Sequence, residues 1–148
     1  MQQGEVLDYR VLADSLPQIV WLAGTDGKAE YMNARWYEYT GADAAASMYE
    51  GWRASVHPGD LADVLATRDI TLRYGTPYEN QMRIRGTDGK YRWFLARSVP
   101  LRDAEGQITS WLGTCTDIHA QKYAEHQLRL LARTGRALSE SLDREVVP

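Results

Sequence analysis

The tetrapeptide TDGK occurs twice, at 25–28 and 87–90, each time between two extended runs. That arrangement constrains the fold more than any other feature of the 148-residue chain. Asp-Gly between such runs is the strongest short-range hairpin signal, because Gly supplies the left-handed backbone of a tight turn. The first hairpin joins QIVWLA (18–23) to KAEYMN (28–33). The second joins ENQMRIRG (79–86) to YRWFLARSVPLRD (91–103), and a further turn at AEG (104–106) leads into QITSWLGTCTDI (107–118). Five antiparallel strands are predicted, grouped two and three. The shared tetrapeptide is turn chemistry and not an internal repeat. Nor is it a phosphate loop, which needs four residues between its glycines and Ser or Thr after the Lys, where Ala29 and Tyr91 stand here.

The segment between the hairpins is helical in character. Asn33 is placed to cap a short helix ending near Gly41. Pro58 occupies a first helical position, and Leu61, Val64, Leu65 and Leu72 follow at helical spacing. A further short helix is predicted from about Glu5 to Ser15, with Leu7, Val11 and Leu12 on one side; Pro17 stops it. Two strands, helices, then three strands imply an α+β domain with helices on one face of an antiparallel sheet.

After Asp117 the pattern changes. Ala124, Leu128, Leu131, Gly135, Leu138 and Leu142 are spaced 4, 3, 4, 3 and 4, a heptad seam among polar residues. Its first turns fit equally a helix folded back on its own sheet and a helix paired with another. Beyond Leu128 the partner-helix reading is preferred, since one domain does not need that much additional apolar helix. Gly135 marks a join or a close helix crossing. The expected organisation is an N-terminal capping helix at 1–16, a core at 17–118, a C-terminal signalling helix at 119–143, and the start of a linker or next domain at 144–148. Asp117, where strand becomes helix, can accept from the first helical amides.

Several function classes are disfavoured. A net charge of -3 with mixed signs gives no electrostatic footprint for nucleic acid. No apolar run approaches the length of a membrane span, and MQQGEVLDYR lacks signal-peptide regions. Cys115 is the only cysteine, so no intrachain disulfide forms, which favours a reducing cytoplasm. GxSxG and HExxH motifs are missing, the three His do not cluster, and no metal site is expected. Glu30, Glu79 and Asp103 sit at turns or outward positions, poor places for a catalytic acid or base. His57 in VHPGD (56–60) could ligate haem iron, but helix-start capping is preferred. Five Trp and nine Tyr against one Phe suit a half-wet cavity or an interface.

Four stretches together resemble a PAS domain of the Trp-rich branch with a PAC-type second half: DSLPQIVWLAGTDGKAEYMN (14–33), WRASVHPGD (52–60), GKYRWFLARSVPLRDAEGQI (89–108) and WLGTCTDIHAQKYAE (111–125). The resemblance spans about Tyr9 to Glu125. It implies a five-stranded antiparallel sheet in spatial order 2-1-5-4-3, with helices enclosing a cavity on one face. Members of that family commonly bind a small molecule there, or simply dimerise, and pass the state to a C-terminal effector. One departure is TDIH (116–119), where many relatives carry Asp-Ile-Thr. The segment 130–147 resembles the opening helix of GAF domains, which often follow PAS domains.

Strand alternation puts Trp111, Gly113 and Cys115 on one face of the last strand, opposite Leu112, Thr114 and Thr116. By similarity to flavin-binding light-oxygen-voltage relatives, the first set faces the cavity, with Cys115 aligned to the glutamine that touches flavin. Phe94, Ala96 and Ser98 on the preceding strand, and Trp21 and Ala23 on the first, complete the candidate cofactor-binding set. Leu95, Val99, Val20 and Leu22 then form the outer face. Plain core packing accounts for the same aromatics and is preferred slightly to ligand contact.

The resemblance leaves the cofactor unknown. Flavin and haem are both weakly supported: no cysteine lies on the short helices for flavin photochemistry, and haem needs His57 to turn inward. The expected function is sensing of a small ligand or a partner's state. Asp117 and Ile118 would relay it along the C-terminal helix to an output domain of the same parent chain, such as a histidine kinase. A homodimer is expected. The alternative is a ligand-free dimerisation and relay module with a side-chain-filled core.

Overall fold

The computed structural model describes residues 9–146, and chain contacts divide it into two units, Met1–Asp117 and Ile118–Pro148. In the first unit a short helix α1 (Tyr9–Ser15) precedes the hairpin β1 (Ile19–Ala23) and β2 (Ala29–Met32). Helices α2 (Ala34–Thr40) and α3 (Ala44–Ser47), a 3-10 turn (Gly51–Ser55) and α4 (Pro58–Tyr74) follow. Strands β3 (Tyr78–Arg85), β4 (Tyr91–Arg102) and β5 (Ile108–Asp117) close the unit. The five strands form one sheet in the order β2-β1-β5-β4-β3, antiparallel at every pairing. This is the order and the α+β class expected from the sequence.

The three tight turns share one geometry. Gly24, Gly86 and Asp103 each donate an amide to the carbonyl four residues on, in Lys28, Lys90 and Gln107, and each accepts from a glycine three residues on. Those glycines, Gly27, Gly89 and Gly106, have φ of 80°, 78° and 82°, a left-handed backbone that other residues adopt only at a cost. In both TDGK turns the Asp side chain accepts from the Lys amide at 3.0 Å. The tetrapeptide recurs because the turn recurs.

Helix α4 starts as its sequence predicts, with Pro58 in the first turn and the His57 Nδ1 accepting from the Gly59 amide at 2.9 Å. Asn33 differs from expectation. It occupies the position before α2 but makes no side-chain cap bond to that helix. Its side chain turns into the interior instead, where Oδ1 accepts from the Val20 amide at 2.9 Å and Nδ2 donates to the Ala13 and Gln18 carbonyls at 2.9 and 2.8 Å. Asn33 is fully buried, so it ties α1, β1 and α2 together where a solvent-side cap would tie only one helix. In α1, Ala13 is buried while Val11 and Leu12 stay exposed; Leu7 and the start expected at Glu5 lie outside the described residues.

Both outer strands of the sheet are touched by the segment that links β2 to α4. Ala29 on β2 exchanges two backbone hydrogen bonds with Tyr49, at 3.0 and 2.7 Å. Tyr49 holds φ 57°, which for a bulky residue costs about 1 kcal/mol or more. On β3, Ile84 bridges Val56, the Arg83 carbonyl accepts from the His57 amide at 2.9 Å, and the Arg83 amide donates to Asp60 at 2.8 Å.

The core lies between the inner face of the sheet and the helices, built on Ile19, Met32, Trp36, Val64, Met82, Ile84 and Phe94 among others. On the outer face Val20 is buried, Leu22 and Leu95 are half-buried, and Val99 is exposed. The second unit is the single helix α5 (His119–Val146). Leu128, Leu131, Leu138 and Leu142 are each more than half exposed, Ala124 and Gly135 are exposed too, and a Cβ at Gly135 would meet nothing among the described residues. No described helix is long and apolar enough to cross a membrane. The expected linker at 144–148 lies partly outside the described residues, since α5 is described only to Val146.

Candidate functional site

Alternation along β5 buries Trp111, Gly113 and Cys115 and leaves Leu112, Thr114 and Thr116 half-buried on the other side. The inner face of the sheet and the facing helices enclose a cavity of about 60 Å³. Of the residues read from the sequence, Trp21, Ala23, Ser98, Trp111 and Cys115 line it. Three do not. Phe94 packs edge-on against Tyr39, ring centres 5.0 Å apart, and borders a shallower cleft beside α2. Ala96 is fully buried in the core cluster and is not part of the cavity wall. Gly113 lies beneath Trp21, whose indole occupies the space a Cβ would take; the glycine admits the tryptophan rather than a ligand.

The rest of the wall comes from elements that strand alternation could not supply. Trp36 comes from α2, Trp52 from the 3-10 turn, and Arg68 and Thr71 from α4. Tyr78, Met82 and Ile84 face inward from β3 and are legible by the same alternation that identifies Ser98. Helical spacing alone does not say which turn of α4 meets the sheet.

Polar groups are few and unevenly served. Arg68 is the one charged residue in the wall among the described residues; its NH1 donates to Glu50 Oε1 at 2.8 Å, while Arg53 donates to Oε2 of the same carboxylate at 2.9 Å. Burial alone would raise the Glu50 carboxyl, and the two guanidiniums bring it below its ordinary value. The Trp36 indole donates to Ser47 Oγ at 3.0 Å. Burial pushes the Cys115 thiol up to about 12, opposed only by a hydrogen bond from Trp21. Burial also raises the Tyr78 phenol, with Cys115 adding to the shift and Arg68 opposing it. Ser98 Oγ and Arg68 Nε of the wall are buried without a hydrogen-bond partner among the described residues, as are Asn80 Nδ2 and Arg35 Nε outside it.

The size of the cavity bears directly on flavin and haem. A cavity that holds benzene measures about 150 Å³, and drug-sized ligands need about 300 Å³ or more. A cavity of about 60 Å³ does not fit flavin or haem. His57 does not serve as an axial ligand either: its Nδ1 caps α4, its ring meets the edge of Tyr91 at 4.7 Å, and it is not part of the cavity wall. No group of three His, Cys, Asp or Glu capable of holding a metal occurs among the described residues. Glu30, Glu79 and Asp103 are exposed; Glu79 pairs with Arg97, and Asp103 accepts from turn amides.

Asp117, at the end of β5, accepts from Arg92 Nε of β4 at 2.8 Å. This ion pair staples the end of the β4–β5 ladder, where Phe94 stands opposite Asp117. Ile118 and α5 belong to the second unit.

The family model for the PAS fold matches residues 29–115. Among curated proteins, the peroxide stress-activated histidine kinase mak1 of Schizosaccharomyces pombe is 35% identical over 130 residues, which is 82% of this chain and 8% of that protein. The uncharacterized protein y4lL of Sinorhizobium fredii is 31% identical over 137 residues, 88% of this chain and 16% of that protein. The chain therefore spans only a small part of either relative. Among solved structures, a sensory box histidine kinase/response regulator from Burkholderia thailandensis aligns with TM-score 0.66 at 22% identity, covering 87% of this chain and 98% of that one. A PAS domain from Colwellia psychrerythraea aligns with TM-score 0.61 at 18% identity, covering 76% and 96%.

Proposed function

The chain belongs to the PAS fold family, and from that premise we propose that it reads the state of its central cavity and relays that state through α5 to an output domain of the same parent protein. Its fold is that of a sensor domain and not of a catalytic one. The observation that carries the reading is the position of β5. Trp111 and Cys115 on that strand form cavity wall, and only Ile118 separates the end of β5 from the start of α5. A change in the wall is thus a change in the strand that feeds the helix, with Asp117 and Ile118 as the relay. A ligand shifts such a relay only by binding one of its two states more tightly.

The exposed leucines of α5 support a homodimer through Ala124, Leu128, Leu131, Gly135, Leu138 and Leu142, and a heptad seam left in water is the usual mark of a missing partner helix. Histidine kinases among the relatives make a kinase the leading output, and a single cysteine without an intrachain partner supports a cytoplasmic setting. Three of the relatives are named for activation by peroxide stress. Cys115 is not suited to direct peroxide chemistry, because a buried thiol raised to about 12 holds almost no thiolate at neutral pH.

A second reading is favoured by the cavity volume itself. Side chains leave so little space that a ligand-free dimerisation module, with α5 as its output, satisfies the same geometry. Sedimentation of the purified chain tests the element common to both. The wild type should sediment as a dimer, and the Leu128→Asp, Leu131→Asp double variant as a monomer with an unchanged core unfolding midpoint. A wild type that stays monomeric at all concentrations overturns the relay reading.

A further inference from the structure

We infer that residues 50–55 form a lid on the central cavity, latched to α4 through Glu50 and Arg68, which opens to admit an uncharged planar aromatic molecule; its sensing role rests on the function proposed above. The lid is a strap fixed at both ends. Tyr49 is bound to Ala29 of β2 by two backbone hydrogen bonds, and Val56 bridges Ile84 of β3. Beside the first anchor, Gly51 lies so close to α3 that a Cβ there would strike the Ala46 carbonyl. The strap thus runs from one outer strand of the sheet to the other.

Between its anchors the strap is held by little. The Gly51, Arg53 and Val56 amides donate to the Met48, Glu50 and Arg53 carbonyls, all within the connector itself. The Arg53 side chain also turns back onto Glu50, at 2.9 Å. Among the described residues, one polar tie leaves 50–55: the Arg68 guanidinium of α4 donates to Glu50 Oε1 at 2.8 Å. A segment whose backbone bonds are all local opens at lower cost than a strand laddered into the sheet. Tyr49, where the strap leaves the sheet edge, holds a left-handed φ of 57°, and strained backbone of that kind gathers at switch segments.

What the strap covers is apolar. Trp52 is its one residue in the cavity wall among the described residues, and it shares that wall with Trp21, Trp36, Trp111, Met32 and Met82. Four indoles offer ring faces and edges to a flat aromatic guest, and a wall of this kind favours a guest without charge. Size then requires the lid to move. The cavity measures about 60 Å³, whereas one that holds benzene measures about 150 Å³. A planar guest enters only when Trp52 withdraws, so the Glu50–Arg68 latch sets how often the competent state occurs and hence the apparent affinity.

The test is calorimetric titration of the full chain with indole, joined to amide hydrogen exchange. Indole is uncharged and too large for the shut cavity. The wild type should bind it once per chain, and bound indole should speed exchange at 50–55 while slowing it in β5. Glu50→Ala and Arg68→Met each cut the latch and should tighten indole binding at least about fivefold, because the open state is then populated in advance. Arg53→Gln should change the affinity less than about twofold, since that side chain ties the strap only to itself. No indole binding by the wild type, binding without faster exchange at 50–55, or unchanged affinity in both latch variants would each overturn the lid. The first two of these outcomes need no variant to fold. Failure of the lid and failure of the relay are distinguishable. If indole is silent while Leu128→Asp, Leu131→Asp still splits the dimer, the lid is gone and the relay survives. If indole binds as described and the dimer equilibrium ignores it, the lid stands and the cavity does not drive the relay.

Discussion

Asn33 and Val20 are joined by two hydrogen bonds of 2.9 Å, the Val20 amide donating to Asn33 Oδ1 and the Asn33 backbone amide donating to the Val20 carbonyl. With the two bonds from Nδ2, one buried amide side chain locks the start of β1 to the end of α1 and the start of α2. Asn33→Ala would leave the Val20 N–H and two carbonyls unmatched in the interior. We expect a loss of about 2–4 kcal/mol in urea unfolding. Asn33→Asp should do no better, because it keeps the acceptor and sets a carboxylate against two carbonyl oxygens.

Gly113 and Trp21 form a second interlocking pair. A Cβ on Gly113 would collide with the Trp21 ring, so Gly113→Ala must push the indole into or out of the cavity. The expected cost is about 1–3 kcal/mol, together with a change in tryptophan fluorescence. Adding Trp21→Leu should recover much of that loss, and a double-mutant cycle measures the coupling. Additive effects would contradict the packing described.

Acid stability should depend on Asp60. Hydrogen bonds from Arg83, chiefly its guanidinium, hold this carboxyl below its ordinary value against the opposing effect of burial. The stabilisation is therefore complete above the unfolded carboxylate pKa of about 3.9 and is lost as pH falls through the lower folded value. Asp60→Asn should cost about 1–2 kcal/mol at pH 7, and the difference from wild type should shrink toward pH 2. Unfolding curves across that range provide the measurement.

Cys115 should be nearly inert in the folded chain. Its thiol is buried and raised to about 12, so an aromatic disulfide reagent should label it slowly at pH 7 and at the rate of a free thiol in urea. The raised value has a second consequence. Below about pH 8.5, where an unfolded thiol begins to ionise, the stabilisation is fully present; above it, the unfolded state loses protons first and stability declines toward pH 12. Rapid native labelling would show that the strand opens readily at this point.

What can be read from the sequence follows from how local each determinant is. The turns are legible because Asp and Gly act within five residues, and the inward set on β5 because alternation is a property of the strand alone. Asn33 defeats such reasoning, because a residue preceding a helix is statistically a cap, and its true partners lie 13 to 20 residues away in sequence. Phe94 and Ala96 share the inward face with Ser98, but a face is not a cavity. Which of its positions meets open space depends on where Tyr39 and the core close over it. Arg68 and Trp52 are not legible at all, since helix spacing does not reveal which turn faces the sheet. Nor does composition reveal that four of the five tryptophans would line so small an opening.

The paired bridges at Ala29 and Ile84 bear on solubility. Open β-strands recruit further strands, and a five-stranded sheet offers two places for a stack of chains to nucleate. Here Tyr49 blocks one and the Val56–Asp60 stretch blocks the other, so the same short connector protects against fibril growth in both directions. Loosening that connector should show itself as aggregation together with loss of the cavity wall that Trp52 and Val56 supply.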